Sequence, residues 1–138
     1  MDQQDILLKL RELIRQLLGV KLEDVKPESV LVKDLGAESI DLLDLSFLIE
    51  DTFHIHIEPN EFEKEVKERI PDRSYEREGY LTEDALLQLR AALPEVDQSR
   101  LVQGLRKAEI PSLLTVSVFV RLVERKLQDA TGVDEEVS

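Results

Sequence analysis

Apolar residues recurring at the helical period constrain this chain most. From Asp5 to Leu18 they fall at Ile6, Leu10, Leu13, Ile14, Leu17 and Leu18, a spacing that predicts a helix with one buried face, and Gly19 supplies its stop. The pattern returns from Ser39 to Phe53, with Leu42, Leu45, Leu48 and Ile49 predicted inward and Asp41, Asp44, Glu50 and Asp51 toward water. Thr115 is placed as the N-cap of another such helix, whose stripe is Val116, Phe119, Val120, Val123 and Leu127; Leu114 and Phe119 have the spacing of a hydrophobic staple. Five Gly, five Pro, no Trp and 4% aromatic residues add nothing that favours sheet, so the chain reads as all-α. Its 138 residues suffice for one compact domain with an elaboration.

Between the first two helices, residues 20–38 read as a long loop, punctuated by Pro27 and Gly36 and pinned to a core through Val25, Val30, Leu31 and Leu35. Residues 64–110 also read as folded. Phe62, Val66 and Ile70 recur every fourth residue and predict a helix ended by Pro71. Thr82 caps a second, with Leu81 and Leu86 spaced as a staple and Pro94 as the stop; Asp97 caps a third, with Val96 and Leu101 spaced likewise. Residues 129–138 lack periodicity and are predicted to be a flexible tail.

Charge narrows the function. The formal net charge is −12, which argues against nucleic acid, because phosphate binding needs clustered Lys and Arg. Basic protein surfaces are the better-matched partners. The absence of cysteine excludes disulfides, Cys-ligated zinc and a protein thiol nucleophile. The acidic N-terminus and the charges at Lys9, Arg11 and Arg15 fit neither a signal peptide nor a membrane span, so a cytoplasmic location is expected.

Chemistry concentrates in Lys33-Asp34-Leu35-Gly36-Ala37-Glu38-Ser39-Ile40-Asp41-Leu42-Leu43-Asp44-Leu45, a loop that enters a helix with a serine at its start. A serine there has a plain structural use as a cap, and a second possible use, because the free N–H groups and positive dipole end favour a phosphate on its oxygen. Gly36 and Ala37 would leave the approach to Ser39 uncluttered. Between Lys33 and Lys64 there is no Lys or Arg, whereas Asp34, Glu38, Asp41, Asp44, Glu50, Asp51, Glu58, Glu61 and Glu63 all fall there. Such a one-signed field steers basic partners.

This stretch resembles the acyl carrier protein family, whose corresponding motif reads Asp-x-Gly-x-Asp-Ser-Leu; Glu38 and Ile40 replace the usual Asp and Leu. The resemblance covers roughly residues 4–63 and 111–128, where His54-Ile55-His56-Ile57-Glu58-Pro59 and Ser112-Leu113-Leu114-Thr115-Val116 look like the approaches to the family's third and last helices. It implies a four-helix carrier core, residues 1–63 and 111–128, with a helical insertion, 64–110, packed on it before the last helix. It also implies that Ser39 carries 4′-phosphopantetheine taken from coenzyme A by a phosphopantetheinyl transferase, and that the arm's thiol holds an acyl group.

The implied partners are acyl-transferring, condensing or acyl-activating enzymes with basic docking surfaces, and the implied state is a monomer. Partner recognition falls to Asp34, Glu38, Ile40, Asp41, Leu43, Asp44, Phe47, Glu50 and Asp51; for Ile40, Leu43 and Phe47 the competing use is ordinary core packing. The insertion holds nine basic and ten acidic residues, about −1, so the acidity belongs to the carrier part. It could lengthen the shelter for a long or unusual acyl chain, dock a dedicated enzyme through an exposed Tyr75 and Tyr80, or add stability.

Three other readings stand beside the carrier of fatty acid or specialised lipid synthesis: a carrier-fold interaction module without a prosthetic group, a carrier for polyketide or aminoacyl cargo, and a serine hydrolase. The last is disfavoured, since Gly36-Ala37-Glu38-Ser39-Ile40-Asp41 lacks the second glycine of a nucleophile elbow, and His54 and His56 alternate with Ile55 and Ile57, as on the wet side of an extended segment. His-x-His without cysteine makes a poor zinc site, so neither a catalytic nor a metal residue is expected.

Overall fold

The computed structural model describes residues 2–58, 61–71 and 74–137, with side chains through Asp129. Helix α1 (Gln3–Leu18) is capped by the Asp2 carboxylate, which accepts from the Asp5 N–H at 2.9 Å, and it ends at Gly19 in the left-handed conformation. Its apolar stripe buries Ile6, Leu10 and Ile14, as the spacing predicts. The loop that follows is more ordered than expected. It contains a 3-10 turn (Leu22–Asp24) and a short helix α2 (Leu31–Leu35), and the Arg11 guanidinium holds it by donating to the Val25 and Leu22 carbonyls, both at 2.8 Å. Val25, Leu31 and Leu35 are buried, and Val30 is half-buried.

Helix α3 (Ser39–Phe53) has the predicted bounds. Leu45 and Ile49 face the core and Leu42 is half-buried, but Leu48 is exposed, because at three residues from Leu45 it falls on the flank of the buried stripe. His54 closes the helix in the left-handed conformation, so this histidine is a helix terminus rather than part of an extended segment; both His54 and His56 are exposed, as predicted.

Helix α4 (Glu61–Glu68) straddles the expected boundary at residue 64 and stops before Pro71. A small hairpin follows, β1 (Glu76–Arg77) against β2 (Tyr80–Leu81), which the all-helical expectation missed; Glu78 and Gly79 make its turn with positive φ. Helix α5 (Glu83–Ala92) begins where Thr82 was placed as the cap, its hydroxyl accepting from Ala85 N–H at 3.2 Å. Asp97 caps only a 3-10 turn (Gln98–Arg100), not a helix: Leu101 is already outside it, in the core. A longer 3-10 segment (Lys107–Leu113) leads into α6 (Val116–Val137), which Thr115 Oγ1 caps at Val118 N–H. The backbone stays helical through Val137, where a tail from Asp129 was expected; Pro59 and Ser138 lie outside the described residues.

One hydrophobic cluster runs through both parts of the chain. It joins Ile6, Leu10 and Ile49 of the first helices to Leu86, Leu89, Leu93 and Leu101 of the insertion and to Val116, Phe119 and Val123 of α6. Polar bonds reinforce this. Helix α6 reaches the insertion side through Arg121, which donates to Glu95 Oε2 at 2.6 Å and to the Ala92 carbonyl, through Arg125 to Glu65, and through Lys126 to Glu61 at 3.0 Å. The chain before α2 is stitched to the start of α6 by Leu31 N–H to Leu114 O, Val116 N–H to Ser29 O and Ser117 N–H to Pro27 O. Residues 64–110 therefore add their apolar side chains to the same cluster rather than forming a separate core.

Two tyrosines separate on folding. Tyr80 is exposed and stacks under the Arg106 guanidinium, whereas Tyr75, expected at the surface, retains only 4% of its accessibility. The hairpin turns Tyr75 inward beneath Lys67 of α4, whose ammonium sits 5.0 Å from the ring centroid.

Candidate functional site

Ser39 is the first residue of α3, and the capping work is done by its neighbours. Glu38 is the N-cap, and the Asp41 carboxylate reaches back to accept from Glu38 N–H at 2.8 Å. The Ser39 hydroxyl, exposed, makes no hydrogen bond among the described residues. The structural use open to a helix-start serine is thus already filled, while the dipole end and the free N–H groups of the first turn remain beside its oxygen. These features suit a phosphodiester at Ser39.

The loop that presents the serine is held from below. Gly36 ends α2 at φ 74°, and its N–H donates to the Leu31 and Val32 carbonyls. A Cβ at Gly36 would meet nothing within 4 Å, so glycine serves the turn and not a close approach. Gly36→Ala is accordingly expected to cost about 1–2 kcal/mol of left-handed strain, measured by denaturant unfolding. Ala37, expected to clear space around the serine, is instead buried, and its N–H donates to Leu31 O at 3.0 Å, which anchors the loop.

The nine residues expected to recognise partners divide by what they touch. Asp34 accepts from Val30 N–H at 2.8 Å, Asp41 completes the helix cap, and Glu50 accepts from Ile57 N–H at 2.8 Å and pairs with His56 at 3.0 Å; these three hold backbone. Glu38, Asp44 and Asp51 are exposed. Among them stand Ile40, Leu43 and Phe47 with 62%, 55% and 57% of their surface in water, so none of the three is core. Together they make an apolar strip edged by carboxylates down the outer face of α3.

A cavity of about 360 Å³ starts at Ser39 and borders α3 beside this strip, with Leu43 and Phe47 themselves among its lining. Leu42, Ser46 and Glu50 line it from α3, Phe62 and Glu63 from α4, Ile110, Pro111 and Leu114 from the segment before α6, and Phe119 and Leu122 from α6. Its size lies within the range of about 300–1,000 Å³ usual for small-molecule sites, and its walls are largely apolar. Along α3, the twelve residues from Ser39 to Glu50 span about 16 Å at the helical rise.

Two carboxylates of α4 line this cavity and differ in their surroundings. Burial would raise Glu61, but Glu58 N–H at 2.9 Å and Lys126, with Arg125 near, hold it below its ordinary value. Glu63 is 8% exposed, its Oε2 has no hydrogen-bond partner, and burial, offset in part by Lys107 and Lys67 and aided by Glu76, pushes it above the ordinary carboxylate range. The Tyr75 hydroxyl, also buried and without a partner, is raised by burial and by the nearby charges of Glu63 and Glu76. A carboxyl with a raised native pKa contributes fully below its unfolded value and loses that contribution as pH rises through the native one. Glu63→Gln is therefore expected to raise the melting temperature at pH 7 by a few degrees, with the gain vanishing toward pH 4 in a pH series of thermal melts.

Among the described residues, no histidine stands beside the serine to serve as its base. His54 caps the opposite end of α3, about 22 Å from Ser39 by helix rise, and no group of His, Cys, Asp and Glu among the described residues is arranged to hold a metal ion. The buried Glu63 was missed in sequence; it sits between Phe62 and Lys64 in an acidic run, and only its burial on α4 distinguishes it.

Comparison with known proteins matches this geometry. The sequence pattern of the phosphopantetheine attachment site family covers residues 8–66. Acyl carrier proteins of two Nitratidesulfovibrio vulgaris strains, DP4 and Miyazaki F, are 41% and 42% identical over 59 residues, 43% of this chain and 78% of theirs. The chain belongs to the acyl carrier protein family. It is a carrier rather than an enzyme, with 4′-phosphopantetheine as its covalent group, and such carriers interact with a phosphopantetheinyl transferase and with acyl-handling enzymes. The family match ends inside α4, at residue 66, so the first part of α4 lies within it, and the hairpin, α5, the two later 3-10 segments and α6 lie beyond it. No helix among the described residues is long and apolar enough to cross a membrane.

Proposed function

We propose that Ser39 is the attachment point for 4′-phosphopantetheine and that this carrier shelters an acyl chain in the cavity beside it while presenting the thioester to enzymes of fatty acid or specialised lipid synthesis in the cytoplasm. The observation that carries the reading is the uncommitted Ser39 hydroxyl at a helix start already capped by Glu38 and Asp41, opening on an apolar cavity. When bound, the group supplies a terminal thiol on a flexible arm. The residues of this chain do the rest. Ser39 supplies the oxygen for attachment, and the transferase must bring the base, since no side chain among the described residues hydrogen-bonds that hydroxyl.

Partner docking falls to the outer face of α3. Ile40, Leu43 and Phe47 offer apolar anchors, Glu38, Asp44 and Asp51 set the charge, and Asp34, Asp41 and Glu50 hold the presenting backbone while adding to the same field. Residues 64–110 complete the wall of the cavity through Ile110 and support the carrier core, residues 1–63 and 111–128, from the side. A role in accommodating a long or unusual chain fits that placement better than a docking role for Tyr75, which is buried.

The test is the intact mass after incubation with coenzyme A and a broad-specificity phosphopantetheinyl transferase. A gain of one phosphopantetheine is expected, and an unchanged mass would leave a carrier-fold interaction module without a prosthetic group. In the same assay, Asp44→Lys with Asp51→Lys is expected to lower the modification rate on the order of 10-fold at low salt, with the deficit shrinking as salt rises.

A further inference from the structure

Phe62 of α4 and Leu122 of α6 line two openings at once. The first is the cavity of about 360 Å³ that starts at Ser39; the second is a crevice of about 20 Å³, room for a single water-sized group. Their remaining walls differ. The cavity is bounded by α3 and the segment before α6, whereas the crevice is bounded by Glu65 of α4, Ala92 at the end of α5, and Val118 and Arg121 of α6. Ala92 lies outside the family match, so the far wall of the crevice belongs to the added segment.

The aromatic ring at this boundary is held in place. Phe62 meets Phe119 edge to face, with ring centroids 6.2 Å apart and planes at 85°, a favourable arrangement for two aromatic rings. Around the crevice, Arg121 donates to the Ala92 carbonyl and Arg125 to Glu65, which ties α6 to both α5 and α4.

We propose that Phe62 is the partition that limits how long an acyl chain this carrier shelters, and that the room behind it runs toward Ala92 of the insertion. The inference rests on the attachment at Ser39 proposed above and deepens it by naming a residue that selects cargo by length. Once a chain fills the first cavity, its further methylenes meet the Phe62 ring and stay in water. A smaller side chain at position 62 joins cavity and crevice into one space, because the surroundings of a deleted ring collapse only in part.

The experiment loads the full chain with straight saturated chains of increasing length, from acyl-coenzyme A with a broad-specificity transferase. The readout is the rate at which hydroxylamine cleaves the thioester, which falls when the chain is held inside the protein. In the wild type, protection is expected to rise with length and then stop rising. Phe62→Ala should move that limit up by roughly three to four carbons, the room left by the ring. The chain two methylenes beyond the wild-type limit should then be cleaved roughly 10-fold more slowly than on the wild type, the effect of burying those two groups.

Ala92→Leu added to Phe62→Ala should bring the limit back toward the wild-type length, which a general loosening of the fold would not do. Thermal melts check that the variants fold, and Phe62→Leu, which keeps most of the packing, should move the limit by a smaller step in the same direction. A wild type without a limit, a limit unmoved in both Phe62 variants, or one that Ala92→Leu does not bring back overturns the proposal and leaves Ser39 attachment standing. Failure of every acyl-coenzyme A to load overturns the attachment reading and this inference with it.

Discussion

Ser39→Ala is expected to abolish phosphopantetheine attachment completely while leaving the melting temperature within about 1–2 °C of the wild type. Serine at a helix start usually contributes as a cap, and replacing such a cap by alanine costs about 0.5–2 kcal/mol. Here the cap is Glu38, with Asp41 bonded to its N–H, and the Ser39 hydroxyl has no partner, so its removal breaks nothing in the fold. Alanine is moreover a good residue for a first helical turn. Intact mass and a thermal melt on the same sample separate the outcomes. A variant that stays folded and unmodified supports attachment at Ser39; one that still gains the group moves the site elsewhere. A large loss of stability would assign the hydroxyl a structural role that the geometry does not give it.

Leu86→Ala is expected to destabilise the whole chain, by about 2–5 kcal/mol, although Leu86 lies in the added segment and outside the family match. Leu86 is 1% exposed and belongs to the cluster that includes Ile6, Leu10 and Ile49, so the cavity it leaves is shared with the carrier helices. The melting temperature should fall by roughly 10 °C in one transition, seen alike by probes on α3 and on α5. Two separated transitions, with the α3 probe unmoved, would show that the insertion folds by itself and that α6, through Arg121 and Arg125, only tethers it.

Legibility followed the physics of each signal. Ser39–Phe53 could be placed because the helical stripe of Leu42, Leu45 and Ile49 repeats over its whole length, although the cap is Glu38 and not the serine. Thr82 and Thr115 were found as caps. Asp97 carried an equally good cap pattern, yet its side chain serves a 3-10 turn of three residues, because Leu101 is drawn into the core directly behind it. The hairpin at 76–81 was hidden, since two-residue strands have no period to detect, and with it went the placement of Tyr75. Ala37 failed in the other direction: a small residue near the serine suggested open space, and the loop packs it inside.

Local pattern alone settled the helical class and placed a serine at the start of α3 behind a glycine-containing loop, because these depend on residues adjacent in the chain and on periodicities shorter than two turns. It also delivered the acidic surround, since charge is additive and needs no coordinates. The apolar cavity, the unpaired Glu63 and the merging of the insertion with the carrier core arise from contacts between segments up to a hundred residues apart. Burial and hydrogen-bond satisfaction are properties of those contacts. A glutamate in an acidic run reads as solvated until the packing of α4 into the fold removes its water.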